Sequence, residues 1–346
     1  MSAWDIELQA RLEDDIEALW RHVGPGVDTD ALRVALVDAA GGGKRVRPRL
    51  LADVHDGLGG RRPQALLGVA AAIELLHTAF VIHDDLIDND DLRRGRLSIP
   101  GRFRVAAEEM GATSRGTQVY ATAGALLTGD LALSGALRAV ATLELPSAVR
   151  LRLVELVTEA LATSATGELA DVRLSLGTAT SGYHDALELA YRKTAAYSFV
   201  LPMQAGAVLA GAGAATIATL GDAGRDLGIA FQLYDDLAGM FADRDATGKD
   251  PLADLREGKP TLLLSHARSC AVWPEIAPRW GDPDLKVADL HAVRRLLEEA
   301  GTRLHVETVA EEHLQEGLRK AGCAGVGVLV ADWASRLLGI RPEVAA

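Results

Sequence analysis

Cysteine is nearly missing from this chain: of 346 residues only Cys270 and Cys323 are cysteine, so neither a disulfide framework nor a four-cysteine zinc site can be built. That suits a reducing cytoplasm, the location expected here. Aromatic residues are only 4%, which disfavours an all-β protein, because sheets lean on aromatic and β-branched side chains. Basic residues are in short supply, 36 against 48 acidic ones, and the net charge of −12 leaves no general attraction for nucleic acid or an anionic membrane. The N-terminal stretch lacks the basic start and apolar run of an export signal; it carries Asp5, Glu7, Glu13, Asp14 and Asp15 instead. No fixed-period repeat and no linker rich in Pro, Gly and Ser divides the chain.

What is present is apolar mass: 49% hydrophobic and 24% charged residues, enough for a sizeable core, with Ala and Leu recurring throughout. Residues 4 to 22 place Trp4, Leu8, Leu12, Ile16, Leu19 and Trp20 at three-and-four spacing, an amphipathic helix ended near Gly24-Pro25. Further helices are expected over 66–88, 147–176, 184–220 and 222–242, a loop over 243–260, and two or three helices over 285–338 broken at Gly301 and Gly322. A single all-α domain over 1–346 is the simplest account.

One run challenges that account. From Thr194 to Gly221 no residue is charged, 28 positions in all, and a stretch above about 18 invites a membrane-spanning reading. Pro202, Gln204 and many Gly and Ala residues argue against insertion. The expectation is a buried helix, and no membrane span.

The densest chemical signal is His83-Asp84-Asp85-Leu86-Ile87-Asp88-Asn89-Asp90-Asp91, followed by Arg93-Arg94-Gly95. On a helix Asp84 and Asp88 share one face, with Asp85 beside them. Carboxylates gathered at the end of an apolar helix call for a compensating cation, and hard divalent ions such as Mg²⁺ prefer oxygen ligands. A solvated helix end and turn would account equally for the segment taken alone. An EF-hand does not, since the fifth position from Asp88 is Leu92 and the sixth is Arg93.

A second acidic pair stands 151 positions later, in Phe231-Gln232-Leu233-Tyr234-Asp235-Asp236, with Gly239 four after its first aspartate. If the two pairs face each other across a helical bundle, they make a polynuclear metal site able to hold a diphosphate. The third signal is basic: Gly41-Gly42-Gly43-Lys44-Arg45-Val46-Arg47-Pro48 puts three cations within four residues. It is no P-loop, because Asp38 stands where a glycine is needed and no Ser or Thr follows the lysine. Lys193-Thr194, Thr247-Gly248-Lys249 and Gly258-Lys259-Pro260-Thr261 add cations beside apolar segments. In an acidic protein such local positives suit recognition of polyphosphate.

Taken in order, Gly43 to Pro48, His77, Asp84 to Asp88 with Arg93-Arg94-Gly95, Gly129-Asp130, Lys193-Thr194, Phe231 to Asp236, Thr247 to Lys249 and Gly258 to Thr261, the chain resembles a trans-isoprenyl diphosphate synthase. That family includes farnesyl and geranylgeranyl diphosphate synthases, and the motifs span residues 41–261. The resemblance implies an all-α bundle around a deep central cavity, the type I isoprenoid synthase fold, and a homodimer. It implies that Asp84 and Asp88, with Asp85 in support, hold Mg²⁺ on an allylic diphosphate, and that Asp235, supported by Asp236, holds a further Mg²⁺ from the opposite wall. Arg93, Lys193, Lys249 and Lys259 would bind the allylic diphosphate; Lys44, Arg47, His77 and Arg94 would bind isopentenyl diphosphate; Thr194 and Gln232 would line the reacting centre.

The chemistry agrees with those roles. Breaking an allylic carbon–oxygen bond leaves a carbocation and pyrophosphate, so catalysis asks for charge neutralisation on the leaving group and a dry apolar cavity for the cation. By family analogy, the proton lost afterwards goes to pyrophosphate. Many relatives carry a third aspartate where Gly239 stands, so the second motif has fewer ligands here; activity is expected to survive on Asp235, with water or Asp236 completing the shell.

Phe80 lies four residues before Asp84, about 6 Å along a helix, where it can act as a cavity floor, and Ala79 beside it is small. By resemblance, one bulky residue of the two points to an intermediate product, C20, with farnesyl or longer chains as alternatives. A class I terpene cyclase would have no use for the second cationic set, and an idle modulatory subunit would be expected to lose aspartates. The tail after residue 262 carries no readable motif.

Overall fold

The computed structural model describes residues 2–93, 95–176, 182–241 and 253–338. It is all-α, apart from a two-residue hairpin pair, β1 (Leu92–Arg93) against β2 (Arg96–Leu97). The described residues sort into two compact units, one drawn from residues 1–157 and 205–212, the other from 158–204 and 213–346.

The first unit contains α1 (Ala3–Glu17), α2 (Val27–Ala40), α3 (Val46–Gly57), α4 (Pro63–Ile87), α5 (Ile99–Glu109) and α6 (Ser114–Ala141). Its centre is α4, which starts on a proline, tolerated there because the first N–H of a helix has no internal acceptor. From Leu66 to Leu76 it is apolar on nearly every side and buried, and it packs against α1, α3, α5 and α6. Full burial of each Leu or Ile contributes about 1.5–3 kcal/mol, so this helix anchors the unit. Among the described residues α4 is the one helix long and apolar enough to cross a membrane, and 83% of its apolar window is buried within the protein. Where α6 crosses it, Gly129 takes the ring of His83: a Cβ there would stand 2.2 Å from His83 Nε2.

The helix stops where the aspartates begin to crowd. Asp88 caps it, Asn89 turns left-handed at φ 57°, and the Asp90 N–H reaches back to Asp85 O at 2.8 Å, closing a Schellman motif. The hairpin then returns the chain toward the helix end.

The second unit holds the C-terminal part of α7 (Ser147–Ser175), α8 (Tyr183–Ala190), a π-helical segment Tyr191–Val200, the start of α9 (Leu201–Ala210) and α10 (Ala214–Phe241). It continues through α11 (Ala253–Arg256), α12 (Leu262–Arg268), α13 (Trp273–Ile276), α14 (Val287–Glu299), α15 (Thr302–Cys323) and α16 (Gly327–Leu338). Here α10 is central, packed on α15 and on the π-helical segment. Leu233 and Leu237 join Leu263, Val293, Leu297 and Val306 in one core.

Several expectations need correction. The run expected as one helix over 184–220 is broken at Gly211, whose φ of +81° ends α9, and α10 runs unbroken from 214 through Gly221 to 241. Gly221 is not a stop; it makes room for the Gln204 side chain, which a Cβ would meet at 2.4 Å. Residues 191–200 are π-helical, and Pro202 just beyond has no N–H to give the carbonyl four residues back, which interrupts the α ladder there. The first helix ends at Glu17, five residues short of expectation. In the tail the chain turns at Gly301, as expected, but the next break is at Gly325, φ +86°, with Gly322 still helical.

Candidate active site

In the first unit, one stripe of α4 departs from full burial. His77, Phe80, Val81 and Asp84 are half-buried and Asp88 is exposed, at the three-and-four spacing of a single helix face. Ala79, by contrast, is completely enclosed. Asp85 points inward, only 2% exposed.

The hairpin lays Arg93 across this end of α4. Its Nε donates to Asp85 Oδ1 at 2.5 Å and its Nη2 to Asp84 Oδ2 at 3.0 Å. Burial pushes the Asp85 carboxyl up to about 6, and the charge and hydrogen bond of Arg93 pull against that rise. Arg93 thus supplies one positive charge to the carboxylate pair Asp84 and Asp85. Arg94, expected to bind the second substrate, lies outside the described residues.

The basic loop does not act as one patch. Lys44 is exposed and Arg47 half-buried, but Arg45 turns inward. Its guanidinium ion-pairs with Glu74 and donates to Gln9 Oε1 at 2.8 Å and Ala40 O at 2.9 Å.

In the second unit, the π-helical segment carries Lys193 and Thr194. The Thr194 hydroxyl donates to Gln232 Oε1 at 2.6 Å, and Gln232 Nε2 donates to Asp236 Oδ1 at 2.8 Å. This relay fixes which end of the Gln232 amide faces which partner. The close approach depends on Gly228, where a Cβ would meet Ala195 Cβ at 2.2 Å. Tyr234 donates its hydroxyl to Glu311 Oε2 at 2.9 Å, and burial with that carboxylate raises its pKa. Lys259 is half-buried and pairs with Glu257 at 3.0 Å; Lys249 lies outside the described residues.

Two residues that the sequence did not flag complete this cluster. Lys193 Nζ donates to Asp171 Oδ2 at 2.5 Å and to Glu168 Oε1 at 3.3 Å, both on α7. They stand 22 and 25 positions before the lysine on an amphipathic helix, where acidic residues look like a solvated face; only the fold brings them to it.

The donor set is chemically suited to Mg²⁺. Asp84, Asp85 and Asp88 offer only oxygen, within about one helical turn, and Arg93 is paired with the first two of them. Among the described residues no three His, Cys, Asp or Glu side chains are grouped so that they could hold a metal ion between them. Mg²⁺ bound here would rest on one or two carboxylates, with water and phosphate oxygens completing its shell.

Comparisons with known proteins agree with this chemistry. A sequence model described as polyprenyl synthetase matches residues 30–273. The geranylgeranyl diphosphate synthase of Methanosarcina mazei is 30% identical over 285 residues, covering 82% of this chain and 80% of that one. The octaprenyl diphosphate synthase of Haemophilus influenzae is 31% identical over 264 residues, covering 75% and 73%. Among solved structures, the geranylgeranyl pyrophosphate synthase of Corynebacterium glutamicum, complexed with isoprenyl diphosphate and magnesium, superposes with a TM-score of 0.84 at 26% identity, covering 97% of this chain and 98% of that one.

Proposed function

The chain belongs to the polyprenyl synthetase family of trans-prenyltransferases, and from that premise we propose that it joins isopentenyl diphosphate head to tail to an allylic diphosphate, giving geranylgeranyl diphosphate, C20. The observation that carries this reading is that carboxylates and cations are built together twice: Asp84 and Asp85 with Arg93, and Glu168 and Asp171 with Lys193. A diphosphate arriving with divalent cations satisfies both signs at once.

In this reading Asp84, Asp85 and Asp88 form one Mg²⁺-holding set and Asp235 with Asp236 the other. Bound Mg²⁺ would neutralise the charge that develops on the leaving pyrophosphate. Arg93, Lys193, Lys249 and Lys259 grip the allylic diphosphate; Lys44, Arg47, His77 and Arg94 grip isopentenyl diphosphate. Thr194 donates its hydroxyl hydrogen bond to Gln232, so its oxygen lone pairs are left to face a carbocation as a fixed dipole. Phe80, half-buried on the face of Asp84, limits the length of the growing chain. Exposed Val119, Leu126 and Leu127 on α6 support assembly as a homodimer.

Pyrophosphate release is the test. It requires both substrates if the enzyme condenses them. Release from the allylic diphosphate alone marks a cyclase, and no release with any primer marks an idle subunit.

A further inference from the structure

Three cations crowd the start of α3, Lys44 and Arg45 just before the helix and Arg47 in its first turn, yet they do not share a task. We propose that Arg45 is a positioning residue: by clamping the loop to α4 it sets Lys44 and Arg47 in register with His77 for one diphosphate. This rests on the reading above, in which those three residues grip isopentenyl diphosphate.

The loop needs such a clamp. Gly42 and Gly43 take left-handed backbone at φ 76° and 84°, conformations glycine adopts freely and therefore does not by itself hold. Arg45 follows in the same region, φ 50° and ψ 38°, which is unfavourable for a residue with a side chain. What offsets that cost is the guanidinium. It pairs with Glu74 on α4, Gln9 on α1 and the Ala40 carbonyl at the end of α2, so one side chain ties the loop to three helices. Arg45 and Glu74 side chains are 9% and 7% exposed, enclosed too far to meet a substrate.

The partner's place matters as much as its charge. Glu74 precedes His77 by three residues, so both lie on neighbouring positions of one face of α4. The clamp thus references the loop cations to the helical turn that carries the third member of their set. Any loosening separates Lys44 and Arg47 from His77 without touching Asp84 or the second unit's cluster. Binding of one substrate suffers, and the chemical step does not.

The test is steady-state kinetics on Arg45→Met/Glu74→Leu, which replaces the ion pair with apolar groups of similar volume and avoids stranding a buried charge. With allylic substrate saturating, KM for isopentenyl diphosphate should rise roughly 10- to 100-fold, while kcat and the allylic KM stay within about twofold. Hydrogen exchange should quicken at residues 42–46 and stay slow through α4. Arg45→Lys, which keeps the charge but not the fork, should give an intermediate rise and serves if the double variant does not fold. A folded variant with unchanged KM for isopentenyl diphosphate, or with kcat falling alone, overturns the proposal. Lys44→Ala and Arg47→Ala run alongside: if they leave that KM unchanged, the loop does not bind this substrate and the inference falls with the reading beneath it.

Discussion

The Arg93 guanidinium spans the two carboxylates at the end of α4, closer to Asp85, at 2.5 Å, than to Asp84, at 3.0 Å. Arg93 and a divalent cation therefore compete for the same oxygens. Arg93→Gln should bind Mn²⁺ about three- to tenfold more tightly in a spectroscopic titration without substrate, a modest gain because a 36% exposed guanidinium is screened by water. The same variant should bind the allylic diphosphate more weakly. Weaker Mn²⁺ binding in Arg93→Gln would contradict the shared-oxygen account.

Phe80 shares the partly open stripe of α4 with Asp84, while Ala79 beside it is fully enclosed. Phe80→Ala should lengthen the main product by at least one five-carbon unit, read by chromatography of the dephosphorylated alcohols. Ala79→Phe, which overpacks an enclosed position, should cost about 1–3 kcal/mol of stability. An unaltered product spectrum in Phe80→Ala would place the floor of the chain at another residue.

Gly228 holds α10 against the π-helical segment, with Ala195 Cα only 2.5 Å from where a Cβ would stand. Gly228→Ala must push that backbone away and should lose about 1–3 kcal/mol in urea unfolding. Because Thr194 adjoins Ala195, its 2.6 Å bond to Gln232 should weaken too, and kcat should fall. Wild-type stability in this variant would mean that the two segments are not in tight contact.

Asp226 on α10 is buried, which raises its carboxyl, but hydrogen bonds from His313 at 2.9 Å and Lys320 at 2.5 Å outweigh burial and hold it below the ordinary 3.8. A depressed carboxylate contributes stability that is fully present above its unfolded value and is lost as pH falls through the folded one. Asp226→Asn should thus be about 1.5–3 kcal/mol less stable near neutrality. The gap should close progressively below pH 3.8. A gap that persists undiminished in acid would show that the carboxylate charge is not what binds α10 to α15.

Legibility in the sequence followed distance along the chain. Asp84, Asp85 and Asp88 lie within five residues on one helix, so their grouping was readable from spacing alone, as was the helix that ends in them. Arg45 was readable as a cation but not as a buried one, because its partners Glu74 and Gln9 are 29 and 36 positions away. Glu168 and Asp171 left no signal at all, since nothing local distinguishes them from a solvated helix face. Glycine misled in one place: Gly221 serves packing and Gly211 serves a turn, and composition does not separate the two uses. The uncharged run after Lys193 likewise changes sense, being a π-helical segment, α9 and part of α10 instead of one long helix.

The most direct measurement is product sizing: purified protein with Mg²⁺, labelled isopentenyl diphosphate and, in turn, the C5, C10 and C15 allylic diphosphates, with Asp235→Ala beside it. The account predicts condensation from the primers it accepts, ending at C20, and loss of turnover in Asp235→Ala. No condensation product from any primer, or full turnover in Asp235→Ala, would contradict it.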